Sequence, residues 1–355
     1  PLDHWPAAQL TMKADLERIS LTLSEPLVSA TGSIERRELI LVCLEGEHGM
    51  IGWGEAAPLE AYDGVSDDQC LSALERQLAA IEAAPKNATG AELLEAARDA
   101  DPLAQALAAI DTALWDLAGQ REGTPLASLL AAEPLARVPV NAVIGADAPE
   151  LAANQARAAV AAGFTTLKVK VGTPDDVERL ESIRVAVGPR ISLRIDANGA
   201  WSVDEAVDAL TDLEPFGIAL AEEPVSGLEQ IALLGGRVAT PISIDESAGD
   251  EGALVSGAAP IVCLKLGRAG GVSALLAQAA LVRSTGCDVY IASMLDGPIG
   301  IAAAVHAAAA LRVDVPCGLA TLDRFDGFDG GLLAPSAGAI TVPLGPGLGV
   351  GPAEE

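Results

Sequence analysis

Two lysines one residue apart, Lys168 and Lys170, sit in the apolar run "TTLKVKVG". Side chains alternate faces along a strand, so both lysines point one way while Leu167 and Val169 point the other. Two ammonium groups on one inward face are costly unless something there uses them. Three acids supply a use: Asp196 in "LRIDANG", Glu222 in "LAEEP" and Asp245 in "ISIDES" each end a short apolar run, 26 and 23 residues apart. A further lysine, Lys265, follows in "VCLKLGRAGG". Three carboxylates in one dry site require a cation, and an oxygen-only set with no His or Cys nearby favours a hard ion, most simply Mg²⁺ completed by water and substrate oxygens. Lys170 and Lys265 would then flank the metal. Neighbouring cations lower a lysine toward neutrality, leaving a free amine able to take a proton, with Lys168 tuning Lys170 and holding an anionic substrate.

Such residues need a scaffold that repeats about every 25 residues. From Val138 onward the chain alternates short apolar strands, polar turns and Ala-rich helical stretches, with strands expected in "VPVNAVIG", "FTTLKVKVG", "SLRIDANG", "IALAEEP", "PISIDES", "IVCLKLGRAG", "DVYIASML" and "PCGLAT". In "TPDDVERLESIRVAVG" the residues Val177, Leu180, Ile183 and Val187 share a helical face and Gly188 stands where the helix should stop. Eight strands joined by helices predict a parallel α/β barrel of the TIM type, modified and built of about seven to eight units, because no Gly-rich nucleotide turn follows the first strand. In a parallel barrel the C-terminal strand ends converge on one mouth, which is where the acids fall.

Residues 1–125 read as a separate α+β module: "ELILVCLEG" and "MIGWGEAAPL" predict antiparallel strands joined by "EGEHG", with Ala- and Leu-rich helices after them. The barrel is expected over 126–320, and 321–355, rich in Gly, Pro and Asp, as a tail returning to the first module. Glu223 and Glu246 read as supporting or solvated neighbours of the acids, His306 as a packed residue of an Ala-rich helix, and Trp201 as a lid over the third turn.

The chain has 355 residues, half of them apolar, and a net charge of −28. That field argues against nucleic acid or an acidic membrane surface as partner and means that an anionic substrate needs a strong local positive site. The longest apolar stretch, Gly297 to Leu311, is short of a bilayer span and carries His306. No export signal opens the sequence, and five scattered cysteines form no metal or disulfide pattern, so a reduced, cytoplasmic setting is expected. A start at Pro1 leaves room for a preceding segment. Homo-oligomers are common among barrel enzymes of this size.

The order KxK, DAN, EEP, DES, KxG resembles the enolase superfamily, specifically its muconate lactonizing enzyme branch. "GWGEAAPL" and "IDTALWDLAGQREGTPL" are similar to that superfamily's capping-domain signatures and "PGLGV" to its tail, so the resemblance spans nearly the whole chain. It implies that Asp196, Glu222 and Asp245 bind Mg²⁺ and that Lys170 is the base on one substrate face. Lys265 would be the second acid/base or a stabilising cation, with Lys168 supporting Lys170. The implied reaction removes a proton α to a carboxylate of a small substrate, through an enediolate.

Within the branch, "SEPLVSATGSIERRE" as a capping loop and "CGLAT" on the last strand resemble o-succinylbenzoate synthases most, implying a lyase: a Mg²⁺-assisted syn dehydration for menaquinone synthesis. The alternatives are isomerases: dipeptide epimerase or N-succinylamino acid racemase, then muconate-type cycloisomerase. A non-catalytic metal-binding barrel is a more distant one. Where much of the branch has a Glu-Ser pair this chain reads "MLDGPIG", with Asp296 at the Glu position. Where epimerases of the branch often carry Asp-x-Asp to grip an ammonium, it has Asp323, Asp326 and Asp329. Substrate contacts are expected from Asn198, Ser293, Met294, Asp296 and Asp323, with Leu319 and the loop from Ser24 to Ile34 setting specificity.

Overall fold

The computed structural model describes residues 13–29, 32–46 and 49–352; Ala30 and Thr31 of the expected capping loop, and Glu47 and His48 of the "EGEHG" turn, lie outside them. The N-terminal part is a three-stranded antiparallel sheet, β1 (Lys13–Ser29), β2 (Gly32–Glu45) and β3 (Ile51–Ala56). It is followed by the short α1 (Glu60–Asp63), α2 (Asp67–Ala83), α3 (Gly90–Ala100) and α4 (Ala104–Glu122). Ser66 with Gln69 and Thr89 with Glu92 form capping boxes that start α2 and α3. Buried α4 presses on β3 so closely that a Cβ on Gly52 or Gly54 would collide with the carbonyl oxygens of Ala113 or Ala109. This explains the small residues of "GWGEAA": here glycine serves close approach.

After α5 (Leu126–Leu130) and β4 (Arg137–Pro139) the chain enters the barrel with β5 (Ala142–Ile144), α6 (Pro149–Ala161), β6 (Thr166–Lys170), α7 (Asp176–Val187) and β7 (Ser192–Asp196). Next come α8 (Val203–Leu213), β8 (Ile218–Glu222), α9 (Leu228–Gly235) and β9 (Ile242–Ile244). It finishes with β10 (Ile261–Leu264), α10 (Leu266–Ala269), α11 (Val272–Ser284), β11 (Asp288–Ile291) and α12 (Pro298–Ala310), and β12 (Ala339–Thr341) returns to pair with β4. Seven parallel strands form one curled sheet in the order β11-β10-β9-β8-β7-β6-β5.

The eighth expected strand is reduced to Cys317 and Gly318, which bridge Val140 on one side and Ala292 on the other. The Cys317 amide donates to Pro139 O at 2.8 Å and the Gly318 amide to Ile291 O at 2.9 Å, so the ring closes by a few backbone bonds. One expected helix is missing: between β9 and β10 there are only 3₁₀ turns, at Glu246–Gly249 and Ala253–Val255, because "ESAGDEGALVSGAAP" is too short and too rich in glycine for a packed helix. In α7, Leu180 and Ile183 are buried and Gly188 ends the helix in a positive-φ conformation, as expected, but Val177 is 40% exposed. Arg179 is buried on that helix instead, paired with Asp176 at 2.6 Å.

The tail reaches both parts of the molecule: Asp326 N donates to Thr22 O of β1, and Leu348 N donates to Asp116 of α4. Among the described residues no helix is long and apolar enough to cross a membrane.

Candidate active site

Register places the charged residues side by side. Lys170 pairs with Asp196 across β6 and β7, Asp196 with Glu222 across β7 and β8, and Glu222 with Ser243 on β9, so Asp245 stands two residues further toward the mouth on the same face. Lys168 and Lys170 both project inward. Lys168 Nζ lies 2.8 Å from Asp196 Oδ2 and 2.6 Å from Glu222 Oε1. Lys170 Nζ lies 2.7 Å from the same Asp196 oxygen and 2.9 Å from Asn198 Oδ1. On the far side, at the end of β10, Lys265 Nζ lies 2.6 Å from Asp245 Oδ2. The two lysine-bearing strands thus flank the three acid-bearing ones, and Lys170 and Lys265 line one cavity of about 240 Å³.

The electrostatics reverse one expectation. Burial works to lower Lys168 and Lys265, but the charges of Asp196, Glu222 and Asp245 around the first, and of Asp245 beside the second, outweigh it and hold both well above the ordinary lysine value. The lysines were expected to depress each other. Lys168 and Lys265 instead each have a carboxylate oxygen 2.6 Å away. Among the acids, burial works upward on Asp196 and Asp245, yet the lysines keep both below the usual range. Glu222 is pushed up to about 7 by burial despite Lys168, with the negative charges of Asp196 and Asp245 adding to the rise.

A second correction concerns sulfur. Cys263 was expected to be remote from the acids, but an oxygen of Glu222, an oxygen of Asp245 and the Cys263 sulfur lie within 4.8 Å of one another. Burial and then the charges of Asp245 and Glu222 raise its thiol well above the ordinary value, so it remains a neutral, poor ligand. The charged donors of this group are therefore the oxygens of Glu222 and Asp245, of the kind Mg²⁺ takes, whereas Asp196 lies outside it with its Oδ2 held between Lys168 and Lys170.

The neighbours of these acids are built into the turns. Buried Glu223, at φ 38°, accepts bonds from the amides of Asp245 and Ser247 and from the Ser247 hydroxyl, fixing the turn after β9. Asn198 donates to Glu246 at 2.9 Å, and its amide caps Asp196 Oδ1 at 3.0 Å. His306 is packed as expected: its Nδ1 accepts from the Ala127 amide, its Nε2 faces Leu348 O, and burial lowers it to about 4. Trp201, in the turn after β7, pairs with Val225 and does not line the cavity.

Of the expected substrate contacts, Asn198, Ser293 and Met294 line the cavity, joined by Leu27, Ser33 and Ile34 of the β1–β2 hairpin. Leu319 does not, and neither do two of the proposed acids. Asp296 is buried behind the wall, near Glu55 and Arg37. There, Arg37 donates to Met294 O at 3.1 Å and Glu55 accepts from the Gly297 amide at 2.7 Å. Asp323, Asp326 and Asp329 are all exposed, and the 3₁₀ turn Leu322–Arg324 presents Arg324 to the cavity in place of Asp323.

Sequence reasoning missed Arg324, Tyr62 and Arg268. Tyr62, from α1 of the N-terminal part, donates to Asp245 Oδ1 at 2.7 Å and accepts from Lys265 at 2.7 Å and from Arg268 at 3.2 Å. Rarity was the available signal: the chain has two tyrosines, and the other, Tyr290, lies inside the barrel with its hydroxyl 3.4 Å from Ser243.

Two family models match this architecture, the mandelate racemase / muconate lactonizing enzyme N-terminal domain over residues 14–131 and the enolase C-terminal domain-like family over 151–355. The L-Ala-D/L-Glu epimerase of Bacillus subtilis (strain 168) is 32% identical, over 96% of each chain. An o-succinylbenzoate synthase of Thermobifida fusca (strain YX) is 40% identical over 52% of this chain and 60% of its own. Among solved structures, a dipeptide epimerase from Enterococcus faecalis V583, complexed with Mg and L-Leu-L-Tyr, superimposes with TM-score 0.87 at 30% identity over 96% of this chain and 99% of its own. An N-succinyl Arg/Lys racemase from Bacillus cereus ATCC 14579 gives 0.89 at 25% identity over 97% and 96%.

Proposed function

We propose, from the premise that the chain belongs to the mandelate racemase / muconate lactonizing enzyme family of the enolase superfamily, that it is a Mg²⁺-dependent isomerase. On this reading it inverts the carbon α to a carboxylate in an N-acylated amino acid, dipeptides included. The observation that carries the reading is the placement of Lys170 and Lys265 on strands either side of the three acids, both open to one cavity. One amine removes the α-proton from one face and the opposite ammonium returns a proton to the other, which inverts the centre with no net change in atoms. Asp196, Glu222 and Asp245 would hold the metal. Bound there, Mg²⁺ supplies positive charge that offsets these acids and the charge developing on the substrate carboxylate. Lys168, buried between Asp196 and Glu222, keeps both acids oriented, and Asn198 does the same for Lys170.

Likeness to epimerases over nearly the full chain favours the isomerase over the dehydratase that the capping-loop and last-strand resemblance pointed to. Dehydration to o-succinylbenzoate is the second reading, because the synthase relative is more identical where it matches, across about half of this chain. The test is α-proton exchange by ¹H NMR in D₂O with Mg²⁺, offering dipeptides and N-succinyl amino acids beside the synthase substrate. Exchange with inversion of the amino acid derivatives supports the isomerase. Dehydration of the synthase substrate without such exchange would replace it with the lyase.

A further inference from the structure

Every lysine that lines the cavity is paired with an acid of the central cluster: Lys168 with Asp196 and Glu222, Lys170 with Asp196, Lys265 with Asp245. Arg324 lines the same cavity and differs. Among the described residues its side chain donates one hydrogen bond, from Nη2 to the carbonyl of Val143, 2.5 Å away, and makes no ion pair with a carboxylate. A guanidinium stays charged when half-buried and carries five N–H donors in a planar fork, so one carbonyl leaves most of that fork free. Burial lowers this arginine, outweighing the charges of Asp323, Asp147 and Glu25, whereas Arg268, with Tyr62 and Asp245 beside it, is raised despite burial.

The side chain is also held in place. Phe325, next in sequence, is buried and bridges Leu23 of β1, and the following amide, Asp326 N, donates to Thr22 O at 2.9 Å. Arg324 is therefore fixed between the N-terminal hairpin and β5, next to the strand that carries Lys170. The acids that follow the last barrel segment, Asp323, Asp326 and Asp329, face solvent, so this end of the cavity offers a cation and no carboxylate from that segment. In a chain of net charge −28, a fixed unpaired cation inside a cavity selects an anion that the overall field would otherwise repel.

We propose that Arg324 binds a second carboxylate of the substrate, remote from the carbon that exchanges its proton. The preferred substrate is then an N-acylated amino acid with a terminal carboxylate on its acyl group or on its side chain. This rests on the isomerase reading above and narrows its substrate class. A planar fork matches a carboxylate in a two-point contact that a neutral amide cannot reproduce.

The experiment compares kcat/KM for α-proton exchange, with Mg²⁺ and the full chain, on two acid–amide pairs. The first pair is an N-succinyl amino acid and its N-succinamoyl isostere; the second is an Ala-Glu and an Ala-Gln dipeptide. Wild type is expected to favour the acid of at least one pair by about tenfold or more, and the pair that shows it identifies where the distal carboxylate sits. Arg324→Gln should bring that ratio to about one, chiefly through KM, and Arg324→Lys should keep part of it. A ratio taken within one variant cancels any general loss of folded protein. Exchange of both members of each pair at equal rates by wild type, or an unchanged preference in Arg324→Gln, overturns the assignment and leaves the isomerase reading standing. No exchange of any of the four compounds overturns that reading, and this inference with it.

Discussion

The hydroxyl of Tyr62, carried by α1 of the N-terminal part, stands 2.7 Å from the ammonium of Lys265 at the end of β10. The same hydroxyl donates to Asp245, and the lysine ammonium sits 3.9 Å from the ring centroid. Burial, then the charge of Asp245, raises the phenol above its ordinary value, so it stays neutral and can donate to the acid while accepting from the lysine. Tyr62→Phe keeps the ring and removes all three bonds of the hydroxyl, that from Arg268 included. We expect kcat for α-proton transfer to fall about tenfold with a smaller change in KM, as befits a residue that positions Lys265. An unchanged kcat in steady-state exchange kinetics would make the hydroxyl a bystander.

Among the described residues Asp196 is the one acid that touches two ammonium groups. Asp196→Ala leaves Lys168 with Glu222 and Lys170 with Asn198, both still shielded from solvent. Removing one partner of a buried charged cluster costs about 3–5 kcal/mol, so urea unfolding should show a loss of that order. Because a ligand that binds the folded state raises its stability, added Mg²⁺ should raise the Tm of wild type and leave that of this variant unchanged. A Mg²⁺-dependent rise in the variant would remove Asp196 from the metal site.

These two residues mark what a sequence can and cannot disclose. The barrel strands and their inward charges were legible because alternation fixes the face of Lys168 and Lys170 and the repeat of about 25 residues fixes where Asp196, Glu222 and Asp245 emerge. Partners across strands were not legible. The upward shift of Lys168 depends on register with Asp196 and Glu222, and the nearness of Cys263 to Asp245 on how β9 meets β10. Tyr62 arrives from a different part of the chain altogether. At Arg324 a single turn decides: adjacent residues point about 120° apart in the 3₁₀ segment, so composition pointed to Asp323 while geometry selects its neighbour.

Glu55 gives the fold a pH dependence. Its buried carboxyl accepts from the Gly297 amide at the start of α12, and it is pushed up to about 8, first by burial and then by the charge of Asp296, against the pull of Arg37. A raised folded value means that this group's contribution is fully present below its unfolded value of 4.5 and is lost as pH rises through about 8. Wild type should therefore lose more stability between pH 6 and pH 9 than Glu55→Gln, which cannot ionise. Parallel urea midpoints for the two proteins across that range would show that Glu55 does not titrate there.

Lys170 and Lys265 offer the sharpest test of the chemistry, since amines on opposite faces of one carbon should fail differently. With Lys170→Ala, the remaining amine can still reach the proton of one enantiomer but has no partner to deliver a proton to the far side. With Lys265→Ala, the other enantiomer keeps its base. Each variant should lose interconversion by roughly 10²–10⁴-fold, the usual contribution of a positioned acid or base. Each should also retain measurable exchange of the α-proton in D₂O for a single enantiomer, opposite in the two variants. Both lysines lie beside acids, so Mg²⁺ titration accompanies the assay to show that the metal still binds. Loss of exchange for the same enantiomer in both variants would leave one lysine as sole base, and an elimination from a single face would then account better for the site than inversion.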